Sequence, residues 1–164
     1  MDAVSRRLLK ELRDFGREAK NHPEIMELAP LSDDDLLSWT AKLSGIDGTP
    51  YEGGVFELSI RVPSNYPIHP PNIHFVTTIC HPNIHFKYAN EEKTGEICLD
   101  ILKTEWSPAW TLKSTILAIS LLLSNPEPSS PLNCDAANLL RCGDVLAYES
   151  LVRMYTQLYA RPEQ

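Results

Sequence analysis

Residues 36–78 read LLSWTAKLSGIDGTPYEGGVFELSIRVPSNYPIHPPNIHFVTT. Three short runs in this stretch, LLSWTAKLSG, GVFELSIRV and NIHFVTT, are rich in β-branched, aromatic and alternating apolar residues, which is typical of strands. Two clusters of turn residues, GIDGTPYEGG and PSNYPIHPPN, separate the runs. The pattern predicts an antiparallel meander between Leu36 and Val76. Its second turn should be a stiff loop, because four prolines restrict the backbone there.

Helical patterns stand on both sides of the meander. Upstream, apolar residues recur at helical spacing from Val4 to Phe15, so we expect an amphipathic first helix that ends near Asn21. Downstream, residues 112–125 (LKSTILAISLLLSN) are apolar nearly all round, which predicts a central buried helix. The tail should form two more helices, broken near Gly143.

Length, composition and charge exclude several classes of protein. The 164 residues, 43% of them hydrophobic, suit one domain spanning residues 1–164. Four cysteines, with no apolar leader and no run of about 18 apolar residues, favour a reducing, intracellular setting. A net charge of −7 disfavours a nucleic-acid binder. Residues 1–20 nevertheless hold six basic side chains against four acidic ones, which form either a solvated helix surface or a docking face.

Residues 80–110 lack a periodic pattern, and so long a stretch inside a compact domain is usually functional. Four motifs follow one another along the sequence, the first before this stretch and the other three within it: YPIHPP (66–71), HPN (81–83), GEICLDIL (95–102) and WSPAW (106–110). Together they resemble the ubiquitin-conjugating enzyme family along essentially the whole chain. The resemblance implies an α/β fold with an N-terminal helix, a four-stranded antiparallel meander, an active-site segment, a central helix and two C-terminal helices.

Cys98 matches the active-site cysteine of that family. Taken alone, a cysteine between Ile and Leu is typical of a small buried hydrophobe, but the surrounding motif implies a carrier that holds ubiquitin as a thioester. A thioester stays reactive toward amines and thiols, whereas serine would trap the acyl group as a stable ester. No base stands beside Cys98 in the sequence, as expected for an enzyme that receives an already activated acyl group. The upstream activating enzyme would use the ATP, and we expect no bound cofactor.

The HPN motif supplies the next candidates. His81, which could suggest a Cys/His dyad, is expected from the resemblance to organise the loop by hydrogen bonds, with Pro82 fixing the turn. Asn83 is expected either to donate to the oxyanion of the transfer step or to brace the loop, and the two roles are compatible. Asn83 and Cys98 are 15 positions apart, more than in compact family members, so FKYANEEKTG contains a small insertion at the rim of the site.

The segment NPEPSSPLN (125–133) resembles the gate beside the family's cysteine, and Ser130 stands where an acidic residue or a serine is found. An aspartate there could help deprotonate an incoming lysine, whereas serine offers a hydrogen bond unless it is phosphorylated. The alternative is an ordinary turn serine before proline. Asp100 is an accessory candidate near the incoming nucleophile, or a carboxylate that caps nearby N–H groups.

Docking surfaces follow from the same resemblance. Rigid prolines around an exposed apolar side chain make a low-entropy anchor for a RING-type ligase, whereas the two tryptophans of WSPAW are expected in the core. The predicted ligase-binding residues are Ile68, Ser107, Pro108, Ala109 and Arg7. The predicted residues for binding the activating enzyme are Arg6, Arg7 and Lys10.

The other three cysteines, Cys80, Cys134 and Cys142, do not indicate a metal site. None has paired CxxC spacing, so we expect no metal. Cys80 and Cys134 flank motifs that the family folds close to the active site. Either a disulfide joins them or both are free thiols.

Within the family, the rim insertion, the serine gate and the extra cysteines are most similar to the fungal peroxisomal ubiquitin-conjugating peroxins. That branch implies modification of cycling import receptors, on cysteine as well as lysine, and a membrane-anchored partner that holds the enzyme on the cytosolic face of the peroxisome. The expected partners are ubiquitin, its activating enzyme, a RING-type ligase and a substrate protein. The alternatives are an enzyme for another ubiquitin-like modifier, a non-catalytic ubiquitin-binding adaptor and, more remotely, a cysteine hydrolase.

Overall fold

The computed structural model describes residues 1–86 and 93–162. Four strands follow an N-terminal helix and precede three further helices, which confirms the predicted α/β class. The elements are α1 (Ala3–Glu18), β1 (Ile25–Ser32), β2 (Asp35–Ser44), β3 (Val55–Arg61), β4 (Asn72–Phe75), α2 (Leu112–Ser124), α3 (Cys134–Arg141) and α4 (Val145–Tyr159). Short 3-10 turns occupy Ala19–Asn21 and Asp100–Leu102.

The four strands form one antiparallel sheet in the order β1-β2-β3-β4. Alternate residues of β2 (Trp39, Ala41 and Leu43) are almost fully buried, as the period of two requires of a strand with one face on the core. The helix α2 joins the same core and buries both of its isoleucines. With only 13 residues, α2 is the most apolar helix. In the described part of the chain, no helix has the length and apolar character of a membrane span.

The meander begins earlier than its sequence pattern indicates. Its first strand, β1, starts at Ile25, whereas the pattern placed the start near Leu36. Pro30 obscures this strand, because proline cannot donate to a β ladder and is confined to edges and bulges. β1 is an edge strand, and its pairing with β2 shifts register next to Pro30.

Side-chain caps fix the helix ends. Asp2 accepts from the Ser5 N–H at 2.8 Å at the start of α1, and Thr111 and Ser114 form a capping box on α2. The first helix and its 3-10 turn end at Asn21, as predicted. The break between α3 and α4 falls at Gly143, which has a φ of +75°, and this confirms the two C-terminal helices.

Residues 80–110 contain little regular structure in their described part. Two isolated β bridges hold the segment before Cys98: His74 to Glu96 attaches it to the edge strand β4, and Ile84 to Ile97 attaches it to the residue after the HPN motif. Residues 87–92, most of the predicted rim insertion, lie outside the described residues. The segment that carries Cys98 is therefore held by single bridges, one to β4 and one to Ile84, rather than by a strand.

Gly95, three residues before Cys98, allows the backbone of this segment to lie close to the carbonyl of Phe75. Gly95 has a φ of +79°, and a Cβ added there would lie 2.0 Å from the carbonyl oxygen of Phe75. Gly53 has the same φ but nothing within 4 Å of an added Cβ, so it is a matched control. In urea unfolding, we expect Gly53→Ala to lower the free energy of unfolding by roughly 1–2 kcal/mol and Gly95→Ala by more than about 3 kcal/mol. Equal losses would contradict the close approach.

Candidate active site

The backbone around Cys98 is tied to the HPN motif. The Cys98 N–H donates to the carbonyl oxygen of Asn83 at 2.8 Å, and the Gly95 N–H donates to the His85 carbonyl at 2.9 Å. Ile97 is only 2% exposed, which anchors the segment in the core and leaves the neighbouring Cys98 half-buried. A cysteine held in this way is fixed in position and still reachable by another protein.

His81 organises the turn and has no nitrogen left for Cys98. Its side chain is fully buried; its Nδ1 accepts from the Asn83 N–H at 3.0 Å, and its Nε2 lies 2.8 Å from the Leu122 carbonyl. The ring proton therefore sits on Nε2. Burial lowers the pKa of His81 to about 4. These contacts support the loop-organising prediction and leave no nitrogen for a Cys/His dyad.

The buried histidine should make the fold acid-sensitive. Its folded pKa of about 4 lies below the ordinary 6.5, so the unfolded state binds an extra proton between those values. Stability from His81 is thus fully present above pH 6.5 and is lost as the pH falls toward 4, on the order of 3 kcal/mol in total. Roughly 2 kcal/mol of this should be lost between pH 7 and pH 5 in urea unfolding.

Two histidine variants test this pH dependence. His81→Gln should reduce the loss of stability between pH 7 and pH 5, whereas His69→Gln, at an exposed histidine, should retain it. Equal pH dependence in wild type and both variants would contradict the assignment, as would an NMR titration of His81 with a midpoint near 6.5.

The side chain of Asn83 clamps the gate segment. Asn83 is 1% exposed; its amide nitrogen donates to the carbonyls of Glu127 at 2.7 Å and Ser130 at 3.1 Å, and its amide oxygen accepts from the Glu127 N–H at 2.8 Å. Pro82 reinforces the clamp, since its carbonyl accepts from Leu132 and Asn133. Both amide hydrogens are occupied, so the geometry favours the bracing role of Asn83. Donation to an oxyanion would require one of these bonds to be exchanged.

Glu127 is a gate residue that sequence reasoning missed. The Ser129 N–H and hydroxyl both donate to its carboxylate, and these bonds lower the pKa of Glu127. The short spacing from Glu127 to Ser129 could have suggested a local turn. The hydrogen bonds between the Glu127 backbone and the Asn83 side chain have no such local signal, because the two residues are 44 positions apart in sequence. Ser130 itself is exposed.

Asp100 lies at the surface. It begins the 3-10 turn after Cys98, and its carbonyl accepts from the N–H groups of Lys103 and Glu105 at 2.9 and 3.0 Å. These are backbone contacts, so the exposed carboxylate is accessible to a partner. The accessory role of Asp100 stays a prediction.

No disulfide joins Cys80 to Cys134 in the structure. Both are free thiols; Cys80 is 2% exposed, whereas Cys134 is exposed at the start of α3. Burial raises the pKa of Cys80 to about 12, and the amide of Asn133 lies 4.0 Å from its sulfur. Among residues 1–86 and 93–162, no three His, Cys, Asp or Glu side chains are grouped as metal ligands.

The two predicted docking loops lie against each other. Ile68 is 70% exposed, Pro108 and Ala109 are exposed, and Ser107 is half-buried. The Trp106 indole N–H donates to the Pro67 carbonyl at 2.9 Å and joins the loops. Trp106 and Trp110 are both half-buried rather than fully in the core, which corrects the core prediction in part.

The basic residues of α1 differ in their availability to a partner. Arg6 and Lys10 are exposed; Arg6 donates to the Met1 carbonyl and Lys10 pairs with Asp14. Arg7 is instead half-buried and donates to the carbonyls of Pro108 at 3.1 Å and Trp110 at 2.9 Å. The structure therefore presents two of the three predicted partner-binding residues to solvent and uses the third in an internal contact.

Comparisons with known proteins agree with the fold. Residues 7–156 match the family model described as ubiquitin-conjugating enzyme. The chain is 51% identical to protein PEROXIN-4 of Arabidopsis thaliana, covering 100% of this chain and 99% of the relative. It is 53% identical to ubiquitin-conjugating enzyme E2 pex4 of Dictyostelium discoideum, covering 95% and 99%. A solved structure of the H. polymorpha ubiquitin conjugating enzyme Pex4p, in complex with the soluble domain of Pex22p, superposes with a TM-score of 0.89 at 41% identity, covering 98% of this chain and 100% of that one.

Proposed function

Because the chain belongs to the ubiquitin-conjugating enzyme family and is an enzyme of that kind, we propose that Cys98 carries ubiquitin as a thioester and transfers it with a RING-type ligase. The observation that carries this proposal is a half-buried cysteine on a segment fixed through the Asn83 carbonyl, with His81 fully engaged elsewhere. A hydrolase would need a paired base to cut an amide. A carrier needs only a reachable thiol.

Both chemical steps balance without a cofactor in this chain. In the first, the Cys98 thiolate attacks the thioester between ubiquitin and the activating enzyme, and the cysteine of that enzyme leaves as a thiolate. In the second, a substrate amine or thiol attacks the new thioester, the Cys98 thiolate leaves, and the nucleophile loses a proton to solvent. ATP is consumed upstream, where the carboxylate of ubiquitin is first activated.

The gate bears on the choice of nucleophile. Ser130 supplies no charge to deprotonate an incoming lysine, and its backbone is held by the Asn83 clamp. A cysteine acceptor ionises nearer to neutral pH than lysine and needs less help. The gate is therefore suited to transfer onto cysteine as well as lysine, and phosphorylation of Ser130 would add the missing negative charge.

A charge placed at the gate should favour amines. We expect Ser130→Asp to raise the rate of discharge to free lysine by about tenfold and to change discharge to free cysteine much less. The matched control is Ser124→Asp, which adds the same charge at an exposed serine ending α2. Single-turnover discharge of the preformed adduct measures both rates. A parallel rise with both nucleophiles, or in the control, would contradict this role.

The relatives favour a place in peroxisome biogenesis. PEROXIN-4 and pex4 are names of proteins that match this chain over nearly all of its length, and the H. polymorpha relative was solved with the soluble domain of Pex22p. The substrate would be a cycling import receptor. A membrane-anchored partner would hold this cytoplasmic enzyme at the cytosolic face of the peroxisomal membrane.

Charging assays test the modifier. The protein is incubated with ATP and ubiquitin plus its activating enzyme, and in parallel with other ubiquitin-like modifiers plus theirs. An adduct with ubiquitin alone supports the proposal. An adduct formed only with another ubiquitin-like modifier would indicate a conjugating enzyme for that modifier. Ubiquitin binding without any adduct would favour the adaptor.

A further inference from the structure

The carboxylate of Glu11 joins three parts of the fold. Its side chain is only 8% exposed. One oxygen accepts from Arg7 Nε at 2.6 Å and from the Tyr66 hydroxyl at 2.7 Å, and the other accepts from the Leu112 N–H at 2.8 Å. These donors belong to α1, to the YPIHPP loop and to the first residue of α2. The three contacts together are called the Glu11 junction.

The junction extends to the second docking loop through Arg7. The guanidinium lies 5.6 Å from the centre of the Tyr66 ring and donates to the carbonyls of Pro108 and Trp110. A planar guanidinium can donate in several fixed directions at once, which lysine cannot. Glu11 therefore orients Arg7, and Arg7 holds the WSPAW loop.

The contact with α2 completes the arrangement. Leu112 is the first residue of that helix, so its N–H has no partner within the helix. Glu11 satisfies this N–H from a position 101 residues away in sequence. The WSPAW loop is thus tied to α1 through Arg7, and the start of α2 just after it is tied to α1 through Leu112.

We propose that Glu11 is a positioning residue that sets the placement of the two ligase-docking loops, and so determines how well the ligase binds. This inference rests on the proposed function, because it requires that a RING-type ligase docks at Ile68 and Pro108. Glu11 acts on these exposed residues through Arg7, which donates to the Pro108 carbonyl, and through Tyr66, which precedes Ile68 by two residues. Ligase docking depends on the distance between the two loops. The Trp106–Pro67 bond joins the loops directly, and the Glu11 junction holds both of them against α1.

The substitution Glu11→Gln tests the junction with almost no change in volume. The carboxylate receives three donors on two oxygens, whereas the amide of glutamine has one oxygen and presents N–H groups to at least one of the same donors. A weaker second variant, Tyr66→Phe, removes one donor and keeps the buried ring. The matched control is Glu149→Gln, which breaks the exposed i,i+4 pair with Arg153 on α4 and touches neither loop.

Two readouts are measured on the full-length proteins. The first is the ratio of RING-stimulated to ligase-free discharge of the ubiquitin adduct, and the second is the Kd of the uncharged protein for the RING domain. We expect Glu11→Gln to lower the ratio about tenfold and to raise the Kd by a similar factor. Tyr66→Phe should move both in the same direction by less, and Glu149→Gln should move neither.

The outcomes separate this inference from the proposed function. In one outcome, wild type forms the ubiquitin adduct and the RING domain stimulates its discharge, and Glu11→Gln and Tyr66→Phe have the same ratio and the same Kd as wild type. The junction then does not position the loops, and the inference is overturned. A ratio that falls with an unchanged Kd would also overturn it. If wild type itself fails to charge or to respond to any RING domain, the proposed function falls and this inference falls with it.

Discussion

Replacing Cys98 by serine is expected to convert a labile ubiquitin adduct into one that survives reducing agent. The serine hydroxyl would form an oxygen ester, which is less reactive toward amines than a thioester. Discharge to lysine should slow by on the order of a hundredfold, or about 3 kcal/mol in the barrier. Gel shifts with and without reductant, followed over time after lysine is added, measure both effects.

The result with serine separates a carrier from a binding surface. If ubiquitin is only held non-covalently, neither wild type nor Cys98→Ser gives an adduct on a denaturing gel. If the adduct is attached to a lysine, it survives reduction in both proteins. Only a thioester at Cys98 gives an adduct that is reductant-sensitive in wild type and reductant-resistant in the serine variant.

Removing the Asn83 side chain should have the second largest effect. Asn83→Ala loses three hydrogen bonds at a residue that is 1% exposed, so we expect the free energy of unfolding to fall by about 2–4 kcal/mol. The gate segment also loses its anchor beside Cys98. The rate of discharge should therefore fall by on the order of a hundredfold.

A matched asparagine controls for the substitution. Asn138 on α3 is exposed and accepts one local hydrogen bond, from the Arg141 side chain, so Asn138→Ala should cost less than about 1 kcal/mol and leave discharge almost unchanged. Urea unfolding and single-turnover discharge measure the two properties. A slow Asn83→Ala variant of wild-type stability would favour oxyanion donation over the clamp.

The main elements could be predicted because their patterns are local. The central helix is apolar on most faces and the strands β2 and β3 alternate, so their burial follows from the sequence alone. The family resemblance implies four strands, but the local pattern alone does not show the edge strand β1, because Pro30 breaks it. Its place in the sheet depends on pairing with β2, which no short window of sequence reports.

The residues of the site could be predicted from the sequence more completely than the hydrogen bonds that they make. The motifs identify Cys98, His81 and Asn83, but the partners of Asn83 are 44 and 47 residues away. Arg7 was predicted as a partner-binding residue, yet its contacts with Pro108 and Trp110 span 101 and 103 positions. Contacts between residues so far apart in sequence depend on the folded arrangement. They decide whether a polar side chain can bind a partner or is already engaged within the protein.

Charging of four single cysteine variants tests the central claim most directly. Cys80→Ala, Cys98→Ala, Cys134→Ala and Cys142→Ala are each incubated with ubiquitin, its activating enzyme and ATP, and then run on a non-reducing gel beside a reduced one. We predict a reductant-sensitive ubiquitin adduct with three of them and none with Cys98→Ala. An adduct that persists in Cys98→Ala, while another cysteine variant loses it, would contradict the assignment of Cys98 as the carrier.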